Sequence, residues 1–298
     1  MKRLFISVFS FLIIISCNNE KNTYDKTPLE NINSTKLLHD GLLREYVLHV
    51  PQLYDGETPL PLVLNFHGFG DSATSHSLST GMIPVANENN FIIAFPQGAL
   101  LNGSPHWNSN LESPENKSTV DDFGFVESLV SDVSSNYNID QTKIYATGFS
   151  NGGFLVYSLA CYNSDLFAAF AGVSTTIMEE AIVNCSPAHK TPIIHFHGLL
   201  DQDVPINGGP GLSSMSSMVN FWKEFNELNL APESKIITSN NYIRIEKLSY
   251  KNNQNSTLIE TYTLDGGGHE WFNLDIENKN TSEIIWEFFS KHNLNNLN

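Results

Sequence analysis

Lys143-Ile144-Tyr145-Ala146-Thr147-Gly148-Phe149-Ser150-Asn151-Gly152-Gly153 runs from a strand-like segment into a serine framed by glycines, and Phe154 to Cys161 continues with helical composition. Strand, sharp turn and helix form the context in which G-x-S-x-G lifts a serine oxygen above a sheet, the glycines leaving room where side chains would collide. A serine hydroxyl without an activated base is a poor nucleophile. The pattern also arises by chance in many chains, so partners must be found in the right order.

Around this stretch, strand and helix signals alternate. Short apolar or β-branched runs at Leu43 to Val50, Leu62 to Phe66, Phe91 to Phe95, Phe167 to Val173 and Ile193 to Phe196 predict buried strands, with Lys143 to Thr147 among them. Phe123, Val126, Val130 and Val133 recur at spacings of three and four after Asp121 and Asp122, predicting an amphipathic helix capped by an aspartate and ending before Asn138. Repeated strand, helix, strand implies an α/β fold with a mostly parallel sheet and helices on both faces. Tyr242 to Tyr250 and Leu258 to Leu264 predict a late antiparallel hairpin, and Ser282 to Lys291 a last helix.

The partners stand at strand ends. His197-Gly198-Leu199-Leu200-Asp201 follows the strand at Ile193, and Gly266-Gly267-Gly268-His269 follows the strand at Leu258. Serine, acid and histidine occur in the chain order of α/β-hydrolases, unlike the orders of trypsin-like and subtilisin-like enzymes. Ser150 is the candidate nucleophile and His269 its base, with Asp201 or Asp203 as the acid that orients the imidazole. His67-Gly68-Phe69-Gly70 ends the strand at Leu62, where the first oxyanion donor is expected, and the residue after the serine supplies the second. The backbone N–H groups of Phe69 and Asn151 are therefore the candidate oxyanion hole. His67 and Gly70 read equally as a loop-closing side chain and a turn glycine.

Taken together, Phe66-His67-Gly68, Val120-Asp121-Asp122-Phe123-Gly124-Phe125, Tyr137-Asn138-Ile139-Asp140, Gly148 to Gly153, His197 to Pro205, Gly266 to His269 and Ile285-Trp286-Glu287-Phe288-Phe289 resemble a known group over residues 41–291. That group is the secreted feruloyl esterase and polyhydroxybutyrate depolymerase type of α/β-hydrolase. The resemblance places the acid at Asp201, in H-G-x-x-D-x-x-V-P, and implies a carboxylesterase acting on feruloyl or acetyl groups of plant xylan or on 3-hydroxyalkanoate polyesters, with no cofactor. The chain departs from it in two places. No cysteine follows Trp107 in Asn108 to Thr119, where many relatives carry Cys-Cys-Gly, and Glu270-Trp271-Phe272-Asn273 replaces a short residue, Trp, Pro and Gly after the histidine. Trp107 and Trp271 are candidates to line the substrate cleft or to pack beneath its loops, whereas Trp222 and Trp286 stand in helical periods and read as core.

The 298 residues carry 41% hydrophobic and 16% charged side chains, which excludes a disordered chain. Sixteen Lys plus Arg against 32 Asp plus Glu give a net charge of -16, which disfavours nucleic acid or anionic lipid as a partner. Lys2 and Arg3 precede an apolar run from Leu4 to Ile15, too short for a membrane span but long enough for a signal-peptide core. The run ends in Ile14-Ile15-Ser16-Cys17, which resembles a bacterial lipobox. The expected organisation is a signal peptide over 1–16, a tether over 17–36 lipidated at Cys17, and one catalytic domain over 37–298. The chain would then be exported and held at a membrane by its lipid, or secreted. Cys161 and Cys185 remain as an even pair that an oxidising compartment would join, or as two buried thiols.

Other chemistries fit poorly. His67, His195, His197 and His269 lack H-E-x-x-H spacing, so a metal site is not expected, and the glycines at 208–211 and 266–268 match neither phosphate-binding pattern. A serine peptidase is disfavoured by Asn151, where related peptidases often carry Tyr. An inactive carbohydrate-binding lipoprotein on the same fold is a further alternative, against which the complete set of Ser150, Asp201 and His269 argues.

Overall fold

The computed structural model describes residues 32–111, 116–239 and 243–297; the expected signal peptide and Cys17 lie outside them. Among the described residues twelve strands, β1 (Ile32–His39), β2 (Leu42–His49), β3 (Leu60–Phe66), β4 (Ile92–Pro96), β5 (Ala99–Leu101), β6 (Ser104–His106), β7 (Ile139–Phe149), β8 (Ala169–Val173), β9 (Ile193–Gly198), β10 (Glu233–Thr238), β11 (Arg244–Lys251) and β12 (Thr257–Leu264), alternate with helices. The helices are α1 (Ala73–Ser79), α2 (Met82–Asn89), α3 (Asp122–Asn136), α4 (Asn151–Tyr162), α5 (Glu179–Val183), α6 (Met215–Phe225) and α7 (Thr281–Phe289).

Ten strands form one sheet in the order β1-β2-β4-β3-β7-β8-β9-β12-β11-β10. From β4 to β12 every neighbouring pair is parallel, and the borders, β1-β2 and β11-β10, are antiparallel. Strand alternation sorts the apolar side chains into two layers. Leu62, Leu64, Phe66, Ile92, Ala94, Ile144 and Ile193 join a core with Val126 of α3, Leu155 of α4 and Met218 of α6. Val63, Ile93, Phe95, Tyr145, Ile194 and Phe196 join the opposite core with Val85 of α2 and Ile285 of α7. Both faces of the central strands are thus covered, which is why their sequences read as continuous apolar runs. Trp222 and Trp286 are buried, one in each layer.

The aspartate cap expected for α3 is present. Asp121 caps α3 by accepting from Gly124 N, and Asn280 and Glu283 form a reciprocal capping box at α7. Several boundaries differ from expectation. The strand expected over Tyr242 to Tyr250 begins at Arg244 as β11, and β12 both closes that hairpin and pairs in parallel with β9. β1 starts at Ile32, inside the expected tether, because its backbone pairs along the whole of β2, from Ile32 with His49 to His39 with Leu42. Polar composition conceals this border strand, which pairs residue by residue with β2 and packs Leu37 against the core. The described residues form one compact unit. Cys161, at the end of α4, is joined by a disulfide to Cys185, just after α5. No helix among the described residues is long and apolar enough to cross a membrane.

Candidate active site

Parallel pairing sets the carboxyl ends of β3, β7, β8, β9 and β12 along one edge of the sheet, and the loops leaving them carry the candidate residues. β7 ends at Phe149 and α4 begins at Asn151, so Ser150 alone makes the turn, at φ 52° and ψ -119°. This is left-handed backbone that a side chain rarely adopts. Two bonds hold it there: Ser150 N–H donates to Val173 O at 3.1 Å, and Thr175 Oγ1 donates to Ser150 O at 2.9 Å. Glycines are needed beside it because a Cβ on Gly148 would stand 2.6 Å from the Gly152 carbonyl, and one on Gly152 2.4 Å from Phe66 O.

Ser150 Oγ lies 2.9 Å from His269 Nε2, and His269 Nδ1 lies 2.9 Å from Asp201 Oδ2. The Asp201 carboxylate is buried, and its other oxygen accepts from Asp203 N at 3.0 Å and Val204 N at 2.8 Å. Asp203 is exposed and contributes its backbone N–H, so the carboxylate reaching the histidine is that of Asp201. The loops bearing Asp201 and His269 cross closely: Leu200 N–H donates to Gly267 O, and a Cβ on Gly198 would sit 2.2 Å from that carbonyl. Ser174 Oγ donates to Glu270 O at 2.8 Å, which ties the histidine loop to the end of β8. Phe149 packs against the His269 ring at 4.9 Å.

The loop of Phe69 lies against the serine: a Cβ built on the adjoining Gly68 would stand 3.5 Å from Ser150 Cβ, and Asn151 follows the serine at the start of α4. One side chain braces both loops. Trp107 Nε1 donates to His67 O at 2.9 Å, while its backbone exchanges two bonds with the Asn151 amide, at 2.8 and 3.0 Å. Trp107 is 2% exposed and packs on Phe66 and His67. It is a strut beneath the site rather than a wall of the cleft, because its polar atoms are used inside the protein. Trp271 is half-buried, its ring edge-on to His76 at 5.5 Å.

His67 closes its loop: Nδ1–H donates to Gly68 O at 2.7 Å and Nε2 accepts from Gly98 N at 2.9 Å. Burial pushes this imidazole below its usual range. Sequence reasoning missed the support behind Trp107. Asp122, read there only as a possible cap, is buried and forms a 2.7 Å ion pair with Arg44 of β2. Its second oxygen accepts from Asn108 N at 2.8 Å, fixing the residue after Trp107. Burial pushes the Asp122 carboxyl up while Arg44 pulls it down. The V-D-D-F-G-F stretch carried this signal, since only one of its two aspartates can serve as the cap.

The phospholipase/carboxylesterase family model matches residues 55–236, which include Ser150 and Asp201. Feruloyl esterase B of Piromyces equi is 26% identical over 261 residues, 84% of this chain, and the chain spans about half of that protein, 46%. Poly(3-hydroxyalkanoate) depolymerase C of Paucimonas lemoignei is 25% identical over 86% of this chain and 64% of its own length. Among solved structures, an acetyl xylan esterase from Aspergillus awamori superposes with a TM-score of 0.63 at 14% identity, over 87% of this chain and 99% of that one, a likeness of fold. With its mostly parallel sheet and its serine between β7 and α4, this chain belongs to the phospholipase/carboxylesterase family of α/β-hydrolases.

Proposed function

We propose that the chain is a serine carboxylesterase working through an acyl-enzyme. The observation that carries this reading is the continuous set of contacts from Ser150 Oγ through His269 to Asp201. His269 Nε2 takes the proton from Ser150 as its oxygen attacks the ester carbonyl. Asp201, whose Oδ2 faces His269 Nδ1, keeps the imidazole in the required tautomer and stabilises the imidazolium. The N–H groups of Phe69 and Asn151 receive the oxyanion, each such donor being worth roughly 3 kcal/mol in the transition state. The protonated imidazole then passes its proton to the departing alkoxide. Water, activated by the same base, resolves the acyl-enzyme and returns the serine. No step requires a cofactor.

The substrate read here is an ester of plant polysaccharide, feruloyl or acetyl in type, supported by the similarity to the feruloyl esterase of Piromyces equi. The similarity to the depolymerase of Paucimonas lemoignei favours a second reading, hydrolysis of 3-hydroxyalkanoate polyester. The N-terminal Lys2, Arg3, apolar run and Cys17 support export and a lipid anchor.

Initial rates of wild type and Ser150→Ala on p-nitrophenyl acetate, methyl ferulate and 3-hydroxybutyrate oligomers test these readings. Ser150→Ala is expected to abolish turnover with the fold retained; undiminished turnover removes Ser150 as the nucleophile. Serine-dependent preference for methyl ferulate supports the first substrate, and preference for the oligomers transfers the chain to the second.

A further inference from the structure

β9 sets His195 and His197 two residues apart, hence on one face of the sheet, beneath Tyr157 of α4. All three side chains are fully buried, in the layer that holds Leu155, Val156, Leu159 and Ile193. They form one chain of contacts. Tyr157 Oη is 2.7 Å from His195 Nδ1, His195 Nε2 is 3.2 Å from His197 Nδ1, and His197 Nε2 is 2.8 Å from Val204 O. A carbonyl can only accept, so the last contact fixes the direction of the rest. His197 donates from Nε2 and accepts at Nδ1 from His195 Nε2–H, and His195 accepts at Nδ1 from the Tyr157 hydroxyl. Burial pushes both imidazoles below their usual range, consistent with two neutral rings. The space for this chain is made by Gly172, opposite His195 in β8, where a Cβ would stand 2.5 Å from Tyr157 Oη.

Three buried polar side chains cost desolvation energy unless each is satisfied. Here each is satisfied, and the chain ends on the turn that carries Asp201. Val204 N–H donates to Asp201 Oδ1 at 2.8 Å, while Val204 C=O is held by His197. His197 Nε2 also lies 3.7 Å from Asp201 Oδ2, the oxygen that faces His269.

We propose that His197 is a positioning residue for Asp201: its grip on the Val204 carbonyl fixes the turn that aims the carboxylate at His269, and Tyr157 and His195 set the tautomer that makes this grip possible. This rests on reading Ser150, His269 and Asp201 as the triad. Their neighbours in this layer are apolar, so packing alone does not call for either imidazole, and an aliphatic side chain would carry no desolvation cost there.

The test compares His197→Leu, which keeps volume and donates nothing, with His197→Gln, whose amide can reach Val204 O. The far-downfield proton NMR resonance of the hydrogen between His269 Nδ1 and Asp201 reports the aim of the carboxylate directly, and kcat and KM on p-nitrophenyl acetate report its consequence. In His197→Leu the resonance is expected to shift or vanish and kcat to fall about tenfold or more with KM little changed, since small misplacements of catalytic groups cost this much. His197→Gln is expected to restore both. A folded His197→Leu with the wild-type resonance and kcat overturns the proposal. Should that variant not fold, Tyr157→Phe takes its place, and an unmoved resonance and kcat there overturn it equally. The resonance reads the Asp201–His269 pair without turnover, whereas Ser150→Ala reads the esterase assignment, so the two conclusions fail separately.

Discussion

Ser150 stores strain at the point where the chemistry is proposed to occur. Its φ of 52° and ψ of -119° are costly for any residue with a Cβ, and the Val173 and Thr175 bonds hold it there. Relief is expected when the Cβ is removed: Ser150→Gly should be more stable than Ser150→Ala by about 1 kcal/mol and so melt at a higher temperature, while both are inactive. Calorimetry on the two variants decides this, and an equal or lower melting temperature for Ser150→Gly contradicts it. The strained residue was legible from sequence because G-x-S-x-G between a strand and a helix leaves the serine little choice. Asp201 was less so. Local sequence left Asp203 open; the resemblance placed the acid at Asp201, and the contact of that buried carboxylate with His269 sets it apart from the exposed Asp203. For Trp107 the sequence left a wall of the cleft and packing beneath its loops both open, since its bonds to His67 and Asn151 join segments far apart in the chain.

Among the elements, α3 couples the sheet border to the proposed oxyanion hole. Its first-turn Asp122 pairs with Arg44 from β2 and holds Asn108, and the adjacent Trp107 braces the loops of Phe69 and Asn151. Arg44 also lies over the Phe125 ring at 3.9 Å. Removing one partner of a buried pair strands the other charge, so Arg44→Met is expected to lose about 3–5 kcal/mol of stability. It should also lower kcat more than it raises KM, because the donors it loosens act in the transition state. Denaturant unfolding together with steady-state kinetics checks both, and a stability near wild type would show the pair to be dispensable. The parallel strands were readable because both their faces are buried, and α3 because an aspartate cap and apolar spacing announce it. β10 was missed: in the border strand Glu233–Thr238 only Ile237 is buried, so alternation gives almost no signal.

For the whole molecule, the buried histidines set its response to acid. Burial depresses the imidazoles of His49, His67, His76, His195, His197 and His292, with His76 pushed down to about 3 and His292 to about 4. The unfolded chain takes up these protons below the ordinary imidazole value of 6.5, while the folded chain refuses them. Stability is therefore fully present above that value and is lost as pH falls toward the depressed ones. The melting temperature is expected to decline from about pH 7 to about pH 4, and His292→Phe, which keeps a ring against Phe288, should flatten the slope. Identical slopes in the two proteins would remove His292 as a contributor.

The order of strands along the chain has a temporal meaning. The strand that presents Ser150 is the fifth in the sheet's spatial order and is complete about halfway along the chain, whereas His269 follows β12, which can join β9 only after α6, β10 and β11 have been synthesised. A polypeptide leaving the ribosome N-terminus first therefore exposes its hydroxyl long before the base that arms it exists. The proposed hydrolase is mute throughout its own birth, and chemistry begins only once the final parallel strand has closed the sheet.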